Sequence, residues 1–237
     1  MSSGHVSAGF HEPGKLKGNS SEIEGDNMDL EIEGLSEATK CEDESGLGLV
    51  QVYTGDGKGK TTAALGLALR ACGHRLSVVI IQFAKGVSYT GELYSLQRLH
   101  PEIQIHRFGR DCRLSSAIKQ GFLRCQGCAE CMLRIGEITD EDRMLAEKGL
   151  SLALEVSTRG DVDILILDEI SLAINFHLLT VDDVVRLIEE KCSHTEIVLT
   201  GRNMPEEILA LADLITEMRQ VRHPYAQGIA ARRGIEY

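Results

Sequence analysis

At 237 residues with 43% apolar side chains, the chain can bury one sizeable core, so one α/β domain plus a tail is the expectation. A formal net charge of -11 excludes a general nucleic-acid binder, because no basic footprint is available to meet a phosphate backbone. The longest apolar run, 76–83, is broken by Ser77 and Gln82 and is far too short to span a bilayer, and 1–9 lacks the basic start and apolar centre of a secretory signal; the expected compartment is the cytoplasm.

Residues 1–46 are rich in Gly, Ser and Glu, with acidic side chains recurring from Glu22 to Glu44. Such a stretch buries too little apolar surface to offset its ordering entropy and reads as a disordered acidic tail, a solvated spacer ahead of a domain over 47–237. A continuous apolar strand is predicted over 49–54. It runs into Thr54-Gly55-Asp56-Gly57-Lys58-Gly59-Lys60-Thr61-Thr62, which opens a helix predicted over 60–72. Glycines at 55, 57 and 59 let the backbone turn its N–H groups toward phosphate oxygens, and the helix start adds unpaired N–H groups and a positive dipole end. Lys60 is a point charge for the phosphates, and Thr61 offers a hydroxyl to Mg²⁺. Thr54 stands where the standard pattern has its first glycine, with Gly55 beside it, so the loop is a variant form.

A second strand follows over 76–83, a helix over 91–100 and a third strand over 103–108. The next stretch, about 110–136, breaks the alternation and holds Cys112 and the run Cys125-Gln126-Gly127-Cys128-Ala129-Glu130-Cys131. Consecutive C-x-x-C steps bring thiolates together in one turn, and Cys112 completes a four-sulfur set suited to Zn²⁺ or an iron–sulfur centre. An odd cysteine total with such a cluster fits a reducing compartment better than a secreted disulfide frame. A helix is predicted over 139–157 with Thr139 as N-cap, then a strand over 162–168. That strand delivers Asp168 and Glu169 at its C-terminal end, where the phosphate loop also lies. Asp168 is the candidate Mg²⁺ carboxylate, directly or through water, and Glu169 a further metal ligand or nucleotide contact. Lys60, Thr61 and Glu169 form the candidate catalytic set. A helix over 181–191 capped by Thr180, a strand over 196–200 and a helix over 205–212 complete the series, with Arg202 at the ligand-binding edge.

Strands alternating with helices, most of them apolar throughout, predict a mostly parallel, doubly wound sheet in a three-layer α/β/α, RecA-like P-loop fold. Ligands of such sheets bind at the C-terminal strand ends. Nucleotide binding follows from these motifs, but they suit a motor ATPase, a kinase or a transferase alike. A GTPase is disfavoured, because Gly201-Arg202-Asn203-Met204 stands where an Asn-Lys-x-Asp guanine reader belongs.

From Val52 to Ala64 the chain resembles the P-loop ATP:corrinoid adenosyltransferases of the bacterial cobalamin pathway. The resemblance continues through Gln82-Phe83-x-Lys85-Gly86, Gly91-Glu92, Leu167-Asp168-Glu169, Leu199-Thr200-Gly201-Arg202, Leu211-Ala212-Asp213 and Gly234-Ile235-Glu236-Tyr237. It implies transfer of the 5′-deoxyadenosyl group of ATP to the Co(I) centre of a reduced corrinoid, with loss of triphosphate, in adenosylcobalamin synthesis or salvage. It also implies ATP lying reversed in the loop, an electron donor such as a flavoprotein, and a homodimer. The runner-up is a RecA-like ATPase or a regulatory nucleotide-binding module. Members of the family carry an aromatic pair after the third strand that covers one corrin face. Here the segment reads Arg107-Phe108-Gly109-Arg110-Asp111-Cys112, which leaves Phe108 and Arg110 as the corrinoid-facing candidates. In this setting a zinc site would clip a lid, whereas an iron–sulfur centre would pass an electron to Co(II).

Overall fold

The structure, a computed structural model, describes residues 46–86, 90–123, 128, 130–134 and 136–236. The acidic segment 1–45 lies outside them. The described chain runs β1 (Val50–Thr54), α1 (Lys60–Gly73), β2 (Val78–Phe83), α2 (Gly91–Gln97), β3 (Ile103–Phe108), α3 (Ser115–Lys119) and α4 (Asp140–Arg159). It continues through β4 (Ile164–Asp168), α5 (Ile170–Asn175), α6 (Val181–Glu190), β5 (Glu196–Thr200), α7 (Glu206–Leu209) and β6 (Leu214–Glu217), ending in a 3₁₀ turn at Pro224–Gln227. No helix among the described residues is long and apolar enough to cross a membrane.

Among the described residues six strands form one sheet in the order β3-β2-β4-β5-β1-β6. Every neighbouring pair is parallel, as in Val52 opposite Leu199 and Ile80 opposite Ile166. The apolar strands read as continuous runs because both faces are covered. Val79, Ile81, Leu165, Leu167, Ile197 and Leu199 enter the core under α4, α5 and α6. Their neighbours Val78, Ile80, Ile164, Ile166 and Val198 enter the core under α1. Because all strands run one way, Thr54, Phe83, Phe108, Asp168 and Thr200 reach the same edge of the sheet.

The predicted strands are all present, two of them starting two residues late. The predicted helix over 91–100 stops at Gln97, and that over 205–212 is regular only from Glu206 to Leu209, because the chain must turn into β6. There, Asp213 N–H donates to Val50 O at 2.9 Å while its Oδ2 accepts from Val50 N–H at 2.8 Å, wedging β6 against β1. The sequence reading passed over β6, whose residues are all exposed and form no apolar run. It also passed over α3 and α5, too short to display a helical period. Thr139 and Thr180 are both N-caps within reciprocal capping boxes, with Asp142 and Asp183 as the third helical residues.

Asp142 has a second partner. Arg110, just after β3, donates to its Oδ1 at 2.7 Å and its Oδ2 at 2.6 Å, and this bidentate pair locks the start of α4 to the ligand-binding edge of the sheet. Arg110 foremost, together with the Thr139 bonds, holds the Asp142 carboxyl at about 2 against burial, which opposes the shift. A carboxyl depressed in the folded state stabilises it above its ordinary value of 3.8, and that contribution fades as pH falls toward about 2. Asp142→Asn is therefore expected to lower stability at neutral pH by about 2 kcal/mol, with the gap to the wild type closing below about pH 4. Denaturant unfolding across that range measures it, and a gap independent of pH would count against the clamp.

Candidate functional site

The turn from β1 into α1 is built around two left-handed glycines, Gly55 with φ 94° and Gly59 with φ 118°. Its outer wall is the segment that follows β6. Met218 N–H donates to Thr54 O at 2.9 Å, and Gly57 N–H donates to Met218 O at 2.6 Å. The approach is so close that a Cβ on Gly55 or on Gly57 would stand 2.5 Å from Met218 O. Asp56 Oδ1 accepts from Gln220 N–H at 3.1 Å. Thr54, Gly55 and Asp56 thus face this brace, and Gly57 through Thr62 face the cavity. One amide expected to point at phosphate, that of Gly57, is spent on Met218.

Lys60 is only 6% exposed, and its ammonium lies inside the loop, donating to Gly55 O at 2.7 Å and Gly57 O at 2.8 Å. Burial first, and then the nearby Arg202 guanidinium, lower its pKa below the ordinary 10.5, while Glu169, Asp56 and Asp168 oppose the shift. Arg202 is delivered by Gly201, whose φ of 148° and whose contact with Ser171 leave no room for a side chain; a Cβ would lie 1.8 Å from Ser171 Oγ. Ser171 Oγ and Asn175 Nδ2 then hold the Arg202 carbonyl at 2.7 and 3.1 Å.

Asp168, 1% exposed at the end of β4, gathers the rest of the site. Its Oδ1 accepts from Thr61 Oγ1 at 2.8 Å and Thr200 Oγ1 at 2.7 Å. Its Oδ2 accepts from Gln82 Nε2 at 2.8 Å and Lys85 Nζ at 2.6 Å. Burial pushes the carboxyl up, but Lys85, Thr200 and Thr61 outweigh it and hold its pKa below the ordinary value. Thr61 and Asp168 form an all-oxygen pair at the foot of the phosphate loop, a donor set that fits Mg²⁺ shared with phosphate oxygens and water. Glu169 follows with φ 60°, a strained position for a side chain; its N–H donates to Thr200 Oγ1 at 3.0 Å and it lines the cavity.

The cavity is about 690 Å³. Lys58, Lys60, Lys85 and Arg202 supply positive charge to it, α2 supplies Gly91, Glu92 and Ser95, and the chain's end supplies Gly234, Ile235 and Glu236. Glu236 is tied to Lys58 at 3.0 Å and to Arg232. His223 also lines it. Gln82, Lys85, Arg107 and Thr200 carried no role in the sequence reading. The signal was present in Gln82-Phe83-x-Lys85 and Leu199-Thr200-Gly201-Arg202, but nothing in a motif says that these side chains meet at one carboxylate.

The segment after β3 is arranged otherwise than expected. Arg110 is committed to Asp142, and the Phe108 ring packs on α4, where a Cβ on Gly149 would lie 3.0 Å from it. Only part of the expected four-thiolate set is described. Cys125 lies outside the described residues. Cys112, Cys128 and Cys131 are described, yet among the described residues no three His, Cys, Asp or Glu side chains are placed to hold a metal ion. Helix α3 stands between Cys112 and the run, and Cys128 is exposed.

The Met218 brace makes the loop sensitive to volume. Gly57→Ala is expected to push Met218 off the loop and weaken ATP binding at least about tenfold, a loss of about 1.4 kcal/mol. Gly66→Ala, on α1 with nothing within 4 Å of the added carbon, serves as the comparison and leaves binding unchanged. Calorimetric titration of both variants measures the difference.

The sequence profile of the family described as ATP:corrinoid adenosyltransferase BtuR/CobO/CobP matches residues 46–237. A corrinoid adenosyltransferase of Sinorhizobium sp is 34% identical over 203 residues, covering 84% of this chain and 84% of its own length. The corrinoid adenosyltransferase CobA of Salmonella typhimurium is 33% identical over 190 residues, covering 80% and 86%. That of Escherichia coli strain K12 is 33% identical over 191 residues with the same coverage. The profile spans the phosphate loop, the buried acidic strand end and every strand of the sheet, and the chain belongs to the ATP:corrinoid adenosyltransferase BtuR/CobO/CobP family.

Proposed function

We propose that this protein transfers the 5′-deoxyadenosyl group of ATP to the Co(I) centre of a corrinoid and releases intact triphosphate. The carrying observation is the convergence of Lys58, Lys60, Lys85 and Arg202 on one cavity at the mouth of the phosphate loop. The bond that forms joins cobalt to C5′, and the bond that breaks is C5′–O5′, whose electron pair leaves with the triphosphate. Co(I) supplies both electrons of the new bond and needs no general base, so the protein's tasks are alignment and neutralisation of the departing charge. Lys60, Arg202 and the free loop amides take up the triphosphate. Thr61 and Asp168, with Glu169 beside them, would hold Mg²⁺, which when bound adds positive charge at the phosphates. In this reading ATP lies reversed in the loop, turning C5′ toward the corrinoid.

The finer assignments belong to the same proposal. The enzyme is an alkyl-group transferase of the cytoplasm that works as a homodimer, and a separate donor supplies the electron that reduces the corrinoid from Co(II) to Co(I). The corrinoid approaches from the side of the segment after β3. The acidic segment 1–46 is a spacer that takes no part in the chemistry.

Incubation with chemically reduced cobalamin and Mg-ATP is expected to give the absorbance change of cobalt alkylation with triphosphate as the phosphorus product. Orthophosphate in its place would indicate a hydrolase. Lys60→Ala removes a charge whose weight grows as the triphosphate departs, and should slow adenosylation about a hundredfold or more, near 3 kcal/mol of barrier. Thr61→Ala should raise the Mg²⁺ concentration needed for half-maximal rate. A near-normal rate for Lys60→Ala would remove the basis of the assignment.

A further inference from the structure

Lys85 contributes charge to the cavity, yet its position in the site goes beyond that. Its backbone is held in place: Ala84 before it has φ 55°, and Gly109 passes so near that a Cβ there would lie 2.4 Å from Lys85 N. From this fixed root the ammonium reaches Asp168 Oδ2 at 2.6 Å and Thr61 Oγ1 at 3.3 Å. Those are the two side chains assigned above to Mg²⁺. A carboxylate 1% exposed demands a cationic partner, and Lys85 is in that place. A divalent ion and an ammonium cannot share the same two oxygens without strong repulsion.

The surroundings are suited to an exchange. The Lys85 side chain is 27% exposed and borders the cavity, so its flexible stem has somewhere to go. When the ammonium leaves, Asp168 keeps Gln82 Nε2 on one oxygen and Thr200 Oγ1 on the other, both neutral donors that fix its orientation without competing for its charge. The Gln82 amide is itself oriented from behind, because Arg107 Nε donates to its Oε1 at 2.6 Å and thereby turns Nε2 toward Asp168. Arg107 in turn reaches Thr90 Oγ1 at 3.2 Å, at the start of α2. Lys60, by contrast, donates to the loop carbonyls of Gly55 and Gly57.

We propose that Lys85 is an exchangeable counter-cation: it stands in for Mg²⁺ between Thr61 and Asp168 while the site is empty, and moves onto the triphosphate when Mg²⁺ and ATP enter together. This rests on the reading of Thr61 and Asp168 as the metal-holding pair. The empty enzyme then has little affinity for a divalent ion alone, and nucleotide and metal bind with mutual support. Lys85 becomes an additional neutralising group for the triphosphate as it departs.

Mn²⁺ followed by electron paramagnetic resonance is the probe, titrated into wild type and Lys85→Met with and without ATP. The wild type is expected to bind Mn²⁺ weakly alone and tightly with ATP. Lys85→Met should bind Mn²⁺ alone at least about tenfold more tightly than the wild type, the scale of removing one adjacent charge at protein-like dielectric. Its melting temperature should rise with Mn²⁺ alone, where that of the wild type does not. Its adenosylation should be at least about tenfold slower at saturating metal, because one neutralising charge is gone. Lys85→Gln, which keeps a donor toward Asp168, provides the same comparison should the Met variant fold poorly. Equal Mn²⁺ affinity of wild type and variants in the absence of ATP overturns the proposal. If the wild type gains no Mn²⁺ affinity from ATP, it is the Thr61–Asp168 assignment itself that falls, and the proposal with it.

Discussion

The site is organised around a carboxylate that the fold buries almost completely. Asp168 ends a strand lying between β2 and β5, and at 1% exposure it has exchanged water for Lys85, Gln82, Thr61 and Thr200. An ionised group in such a place is tolerable only when each lone pair is met and a cation stands close. Each of those partners comes from a different part of the chain: α1, β2, the turn after β2, and β5. Satisfying one carboxylate therefore fixes the relative positions of four strand and helix ends. The loop between β1 and α1, the Thr61 hydroxyl and the cavity wall are held to one another by it.

A second constraint acts on the outside of the loop. β6 is an exposed edge strand with little apolar content to bury, yet it delivers Met218 against Gly55 and Gly57 at distances that exclude any side chain there. The glycines of the loop thus serve two surfaces, the cavity on the inside and the brace on the outside. The loop enters the reaction already shaped, and the cost of ordering it is met in folding rather than on binding. The same economy is seen at Gly201, where contact with Ser171 places Arg202 on the cavity rim.

On the far side of the sheet edge, Arg110 and Asp142 join the exit of β3 to the start of α4 across 32 positions of sequence. Beside this ionic clamp the partly buried Phe108 ring packs against the core under α4.

Much of the fold was legible before any coordinates. Strands buried on both faces announce themselves as apolar runs, so β1 to β5 were found, and Thr139 and Thr180 marked helix starts because a side-chain oxygen must meet orphan N–H groups there. The phosphate loop and the Asp168-Glu169 pair were legible for a similar reason, since each is a local pattern whose chemistry is complete within a few residues. Exposed β6 and the short α3 and α5 carried no such pattern. The meeting of Lys85, Gln82 and Arg107 behind Asp168, the commitment of Arg110 to Asp142 and the brace of Met218 on Gly57 were decided only in three dimensions. The physical reason is that local pattern reports what a residue's near neighbours require of it, whereas these contacts depend on strand order. Strand order places β2 beside β4 and β6 beside β1, and it is settled by the packing of the whole sheet.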